Sequence, residues 1–196
     1  MPSVLSTRRA VLATALALAA WPALAAPAAE AFIRQLQTGV DRAAPAGRPG
    51  DVAAVSRLIE RAFDLEAIAR AVLGARAATA TPAQVRRLAR AFGNRMARET
   101  LERRRKARGA ARIVRSRPAG PNEWLVYTSS ERDRQDPLVV AWRVRRTAGG
   151  LRIVDVLRDG ASLVSAQRRD LQTALRSKSL DVVIAQMEQR YPAPAG

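Results

Sequence analysis

Apolar and polar residues alternate along two stretches in the last third of the chain, residues 138–146 and 151–158. Strict alternation is typical of a β-strand with one buried face. The four residues between the stretches end in two glycines, which adopt the positive φ that a tight hairpin turn requires. Alternation places Val140, Trp142 and Val144 on one face of the first strand. The pattern therefore predicts a β-hairpin with one apolar wall.

Alternating residues also occupy two stretches before this hairpin, 111–117 and 122–130. We interpret them as a second pair of strands, joined by a proline- and glycine-rich turn at 118–121. The charged residues 131–137 predict a loop that leads into the hairpin. The sheet is therefore expected to hold four antiparallel strands.

Apolar residues recur at helical spacing on either side of these strands. Caps mark three helices: Asp51 precedes one, Asp64 opens a short one that ends at Gly74, and Thr81 with Pro82 opens one reaching to about residue 108. Spacing alone predicts further helices at 28–40, 162–176 and 180–189. This order indicates a single α+β domain, with helices packed on one face of a curved sheet.

The amino terminus has the pattern of an export signal. Arg8 and Arg9 precede an apolar run at 10–20, and Ala23-Leu24-Ala25 offers a small-x-small cleavage site. The paired arginines resemble a twin-arginine signal, although they also occur in general secretory signals. We predict that residues 1–25 are a cleaved signal peptide, that 26–190 form the domain, and that 191–196 form a disordered tail.

The chain is strongly basic, with a formal net charge of +17 from 34 basic residues that are all arginine apart from Lys106 and Lys178. A basic surface attracts nucleic acid or anionic lipid headgroups. For an exported protein the headgroups are the more accessible of these partners. We therefore rank headgroups above nucleic acid, and plain solvated charge above both. No nucleic-acid partner is expected, and the charge is compatible with transient contact with a membrane surface.

The residue types limit the chemistry. With no histidine and no cysteine, the chain lacks the commonest general base, thiol nucleophiles and the usual zinc ligands. Asp155 is an acid inside an apolar strand, and we expect it to face outward and to pair with Arg143 across the hairpin. No catalytic residue, metal site or cofactor is predicted.

Two sequence blocks resemble the MlaC-type phospholipid-binding family, also known as toluene-tolerance proteins. The first is Phe63-Asp64, Ile68-Ala69-Arg70 and Leu73-Gly74, and the second runs from Val140 through Trp142-Arg143 and Asp155-Val156 to Gly160-Ala161-Ser162-Leu163. The resemblance implies a cone-like fold related to nuclear-transport-factor-like domains. This chain departs from the family pattern at residues 75–80, which contain no aromatic residue, whereas relatives often carry one there.

This resemblance also implies a function, that of a periplasmic carrier without catalytic activity whose cargo is phospholipid. The implied partners are an inner-membrane ABC transporter complex and an outer-membrane lipoprotein, between which the carrier would shuttle lipid. Acyl chains need an enclosed apolar cavity. For each candidate, a place in the ordinary core is about as probable as a place in the cavity lining. The candidates for the lining are Phe63, Ile68, Val72, Leu73, Phe92, Met96, Leu125, Tyr127, Val140, Trp142, Val144, Ile153 and Leu163.

Three alternatives remain open from the sequence. The cargo could be a hopanoid-like lipid, since some relatives are associated with hopanoid pathways. Cone-like folds also host small hydrolases and isomerases, usually with Asp or His in the pocket. The third alternative is an exported interaction module whose core is completely filled.

Overall fold

Helices and strands follow one another in the predicted order. A computed structural model of the chain describes residues 21–45, 48–106, 109–132 and 135–194, without the side chains of 21–25 and 132–136. The described helices are α1 (Trp21–Ala43), α2 (Val52–Ala62), α3 (Leu65–Leu73), α4 (Pro82–Lys106), α5 (Leu163–Ala174) and α6 (Leu180–Arg190). The strands are β1 (Arg112–Gly120), β2 (Glu123–Arg132), β3 (Gln135–Thr147), β4 (Gly150–Arg158) and β5 (Ala161–Ser162).

The predicted caps form as expected. Asp51 accepts a hydrogen bond at 2.9 Å from the backbone N–H of Ala54, and Asp64 accepts one at 3.0 Å from Ala67. Each carboxylate thereby satisfies an amide that the first helical turn leaves unpaired. Gly74 ends α3 with a φ of 61°, a conformation that costs glycine little. These local signals confirm α2 and α3.

The sheet is antiparallel in the order β1-β2-β3-β4-β5. The hairpin predicted from alternation is β3 and β4, closed by the pair Thr147 and Gly150. The sheet has one strand more than the four expected. The additional strand is β5, in which Ala161 and Ser162 pair with the last residues of β4. A two-residue strand carries no periodicity of its own, so the sequence pattern could not reveal it.

Two predicted connections are wrong. The charged loop at 131–137 is largely strand, since β2 continues to Arg132 and β3 begins at Gln135, with these two residues paired. Charged side chains are compatible with the ends of strands that stand in water, so their presence did not mark a loop. The turn at 118–121 lies later than predicted, because β1 extends to Gly120 and Asn122 takes a φ of 59°, which asparagine tolerates.

The core lies between the helices and one face of the sheet. Ile33 of α1, Leu73 of α3, Leu88 of α4, Ile153 of β4 and Ile184 of α6 have essentially no exposed surface. Val144 is also fully buried there, which confirms the apolar face predicted for β3. The arrangement is the predicted α+β domain, with the helices on one side of the sheet.

The two ends of the chain differ from each other. Residues 1–20 of the predicted signal peptide lie outside the described residues, and 21–25 belong to α1, so cleavage stays a prediction. Nowhere in the described ranges is there a helix with the length and apolarity needed to cross a membrane.

At the carboxyl end, two residues predicted as the start of a disordered tail contact α4. The carbonyl oxygen of Tyr191 accepts from the Asn94 side chain at 3.2 Å, and that of Pro192 accepts from Arg98 at 3.0 Å. Residues 195–196 lie outside the described part, and disorder of the tail stays a prediction.

Candidate functional site

An apolar cleft lies between the inner face of β4 and the helices α3, α4 and α5. Its floor is aromatic and aliphatic, and its polar residues come from α4, α5 and β4. The lining residues are Phe63, Ile68, Phe92, Arg95, Met96, Glu99, Asp155, Val156, Leu163, Val164 and Gln167.

The cleft is almost closed. Its cavity volume is only about 20 Å³. That is room for about one water molecule. A ligand larger than this can enter only if one wall moves.

The mouth of the cleft carries a polar bridge between α4 and α5. The Arg95 guanidinium donates to Glu99 at 2.7 Å and to the amide oxygen of Gln167 at 2.6 Å. The Arg95 guanidinium also lies 5.9 Å from the centre of the Tyr191 ring. Arg95 therefore holds α4 and α5 together at the point where the cleft opens.

Asp155 anchors the start of α5, contrary to the prediction. One carboxylate oxygen accepts from the backbone N–H of Val156 at 2.8 Å and of Val164 at 3.2 Å, while the other accepts from the Ser162 hydroxyl at 2.6 Å. Ser162 in turn caps α5 by accepting from the N–H of Ser165 at 3.0 Å.

The expected ion pair between Asp155 and Arg143 is wrong, although the two residues are partners in the ladder. Arg143 lies 3.9 Å from Glu123 instead. The carboxylate of Asp155 accepts from Ser162 and Val164 at the start of α5, so Arg143 is left to pair with Glu123.

Elsewhere α5 makes polar contacts with α3. The Arg168 guanidinium donates to the carbonyl oxygen of Ala71 at 2.8 Å, and the Gln172 amide donates to that of Leu73 at 3.2 Å. Within α5 itself, Leu171 is the buried side chain. The wall formed by α5 is therefore held by hydrogen bonds at its edges together with the packing of Leu171, Val164 and Ala174 against the core.

The structure separates the thirteen predicted lining residues into groups. Five of them line the cleft: Phe63, Ile68, Phe92, Met96 and Leu163. Four others, Val72, Leu73, Val144 and Ile153, are fully buried in the core. The remaining four lie elsewhere in the sheet: Trp142 packs against the core and donates to Thr128, Val140 pairs with Thr128, and Leu125 and Tyr127 occupy the opposite face.

Sequence reasoning missed the polar residues of the cleft. Arg95 and Glu99 were indistinguishable from the many solvated charges of α4, and Gln167 carried no signal. Val156 and Val164 could have been found, since Val156 belongs to the second block that resembles the family and Val164 directly follows it. Asp155 was singled out by its apolar surroundings, but its hydrogen-bond partners were predicted wrongly.

The cleft is better suited to binding than to catalysis. Both oxygens of Asp155 are occupied by protein donors, so its carboxylate is not free to act as a base on a ligand. Among the described residues, no three acidic side chains gather as a metal ion would require. The rest of the lining is an apolar floor and the polar bridge of Arg95, Glu99 and Gln167.

Comparison with known proteins identifies the family. The sequence model of the MlaC protein family matches residues 29–189. The chain belongs to the MlaC family. Among solved structures, the fold is similar to that of a phospholipid-binding protein from Ralstonia solanacearum in complex with a phospholipid, with a TM-score of 0.69. The two share 16% sequence identity, and the match covers 83% of this chain and 96% of that chain. Comparison with curated proteins gives no match.

Membership of the MlaC family gives meaning to the two sequence blocks that resembled it. The fold brings them together: Phe63 forms a bridge with Ile153, and the N–H of Asp64 donates to the Ile153 carbonyl at 2.9 Å. Phe63 and Ile68 of the first block then face Leu163 of the second across the cleft. The two parts of the sequence that most resemble the family therefore build the cleft jointly.

Proposed function

We propose that this protein is an exported lipid carrier whose apolar cleft takes up the acyl chains of a phospholipid. The observation that carries the proposal is the cleft itself, built by the two family-like blocks and lined by Phe63, Ile68, Phe92 and Met96. Support comes from membership of the MlaC family and from a protein of similar fold that was solved with a phospholipid bound.

Uptake requires the cleft to widen. The acyl chains of a diacyl lipid cost roughly 20 kcal/mol to keep in water, at ~0.8 kcal/mol per CH₂, so they need full enclosure. The 20 Å³ available in the closed form cannot supply it. The wall that moves is α5, because it is attached to α3 and α4 by hydrogen bonds that water can replace and Leu171 is its buried side chain.

Arg95 then has a second role in the proposal. Once Gln167 moves away, the guanidinium at the mouth is free to donate to a phosphate oxygen, for which its planar fork is well shaped. Acyl chains would lie inside and the headgroup would stay at the surface. A phospholipid suits this arrangement better than a hopanoid-like lipid whose headgroup lacks phosphate.

In this proposal the carrier works in the periplasm, between the inner and the outer membrane. The predicted signal at 1–25 supports export, and the proposed partners are an inner-membrane ABC transporter complex and an outer-membrane lipoprotein that exchange lipid with it. The occupied carboxylate of Asp155 and the lack of histidine and cysteine argue for a carrier in preference to an enzyme.

Cross-linking the cleft shut tests the proposal. The chain contains no cysteine, so Arg95→Cys with Gln167→Cys introduces a unique pair across the mouth, which a short bismaleimide reagent can join. The control pair is Gln84→Cys with Asp181→Cys, because these side chains meet at 2.9 Å between α4 and α6, away from the lining of the cleft. Uptake of a fluorescent phospholipid from micelles is measured before and after cross-linking.

We expect cross-linking to abolish uptake in the Arg95–Gln167 pair and to leave it unchanged in the Gln84–Asp181 pair. Native mass spectrometry of the unlinked protein should show one bound phospholipid. The proposal is refuted if the protein with its mouth cross-linked still takes up lipid at the normal rate, or if no lipid binds to the unlinked protein.

A further inference from the structure

The sheet has a second face that no described helix covers. The residues of this face pair, on the neighbouring strand, with residues whose side chains point away from the core. Six of them are arginines, which together we name the arginine face: Arg112, Arg115 and Arg117 of β1, Arg143 and Arg145 of β3, and Arg152 of β4. The charge spreads over three strands and is not gathered in a pocket.

Few carboxylates oppose this charge. Glu123 contacts Arg145 at 2.7 Å and Arg143 at 3.9 Å. Counting the exposed Glu131 near the end of β2, the described residues of this face hold six arginines and two glutamates. Asp155, which is the ladder partner of Arg143, adds nothing here because its carboxylate is turned to Ser162 and α5. The face carries a clear excess of positive charge.

The arginines also cover apolar groups. Leu125 and Ala141 are buried, at 4% and 5% exposure, although both lie on this outward face. The Arg115 guanidinium stacks 4.1 Å from the centre of the Tyr127 ring, and the Nε of Arg117 donates to the Tyr127 hydroxyl at 3.1 Å. Arginine stems shield apolar surface while the guanidinium groups stay in water. These contacts hold the charged ends in a layer above the sheet.

We propose that the arginine face docks the protein on the surface of an anionic lipid bilayer. A bilayer presents phosphate over a broad area and demands no matching shape, which fits charge spread across strands. One exposed apolar residue of this face, Val139 of β3 at 39%, can enter the headgroup layer. The face is on the other side of the sheet from the cleft, so a docked protein keeps the mouth of its cleft clear.

Sedimentation with vesicles tests the docking. The vesicles are phosphatidylcholine alone or with 30 mol% phosphatidylglycerol, at roughly 50 and 300 mM salt, which shortens the Debye length about 2.4-fold. The full chain is used throughout, and binding to neutral vesicles measures the contribution of its amino-terminal apolar segment. The strand variant combines Arg112→Gln, Arg115→Gln and Arg117→Gln. The control combines Arg86→Gln, Arg90→Gln and Arg169→Gln, which remove the same charge from exposed positions on α4 and α5.

At about 1 kcal/mol per arginine near an anionic surface, the strand variant should bind anionic vesicles roughly 100-fold more weakly at low salt. The control should lose less than about threefold, and the corresponding lysine variant at the three strand positions should retain binding. These measurements do not depend on the cleft, so protein with its mouth cross-linked should bind vesicles normally.

Three results would overturn the docking proposal. One is wild-type binding that is no stronger to anionic than to neutral vesicles. Another is an equal loss in the strand and control variants, which would mean that the overall charge acts without a defined face. The third is a protein that ignores vesicles but binds poly-glutamate through the same three arginines, which would assign the face to an acidic protein partner.

Discussion

Replacing Asp155 by alanine should destabilise the protein through the start of α5. The carboxylate accepts hydrogen bonds from the Ser162 hydroxyl and from the backbone N–H groups of Val156 and Val164. Alanine leaves all three donors without this partner. It also frees the hydroxyl that caps α5 by accepting from Ser165, so the cap loses its orientation.

The magnitude follows from these contacts. A hydrogen bond to a charged acceptor contributes about 1.5–3 kcal/mol, and three of them would give an upper bound of about 9 kcal/mol. Asp155 is only half-buried, so water replaces part of the loss, and we expect the free energy of unfolding to fall by about 2–4 kcal/mol. For a domain of this size that is a decrease in Tm of roughly 5–15 °C.

Asparagine provides the graded comparison. Its amide oxygen can still accept from the N–H groups of Val156 and Val164, while its NH₂ donates to the Ser162 oxygen, so Asp155→Asn should cost only about 1 kcal/mol. Asp170→Ala, an exposed position on α5, removes the same charge and should change stability by less than about 0.5 kcal/mol.

Urea unfolding followed by tryptophan fluorescence measures all three variants of this series. The reasoning fails if Asp155→Ala and Asp170→Ala behave alike, since the carboxylate would then act only through charge. It fails equally if Asp155→Asn costs as much as Asp155→Ala.

Three further perturbations test other contacts. The pKa of Glu188 is lowered by its hydrogen bond with Arg87, so Glu188→Gln should lower Tm at pH 7, and its difference from wild type should shrink as pH falls below about 4 and vanish below the lowered pKa. Gly74→Ala should cost about 1–2 kcal/mol in urea unfolding, because φ is 61° there and space is not limiting. Trp142→Phe removes the 3.0 Å bond from its indole N–H to Thr128, and calorimetry should show a loss of about 1 kcal/mol.

Each of these has a clear contrary result. An effect of Glu188→Gln that persists unchanged at pH 3 would mean that packing, and not the ion pair, joins α4 to α6. A Gly74→Ala protein as stable as wild type would argue against strain at the positive φ of this position. A Trp142→Phe protein as stable as wild type would show that water satisfies Thr128 equally well.

Local chemistry explains which parts of the fold could be predicted from the sequence. Asp51, Asp64 and Gly74 act within their own helical turn, so the signals they carry hold wherever the helix packs. The alternation along β3 is equally local, so it predicted correctly which of its side chains share a face. The charged stretch at 131–137 was misread because charge marks exposure, and an exposed strand end and a loop are equally charged.

The cleft was predictable only in part because its lining is set by tertiary packing. Phe92 and Met96 share an apolar stripe with Leu88, and nothing in the spacing tells which of them meets empty space. The partners of Asp155 were predicted wrongly because its carboxylate accepts from Ser162 and Val164, which lie outside the strand whose alternation was analysed.

The polar attachment of α5 has a consequence for hydrogen exchange. Its contacts to Ala71 and Leu73, and its bridge to Arg95, are bonds that water can replace when the helix lifts away. The amide protons of α5 should therefore exchange through a local opening of low free energy, while those of α4, packed around Leu88, wait for global unfolding. A ligand that binds only the opened form requires α5 to separate first. The segment of the empty protein that is least protected from exchange is therefore also the one through which the ligand enters.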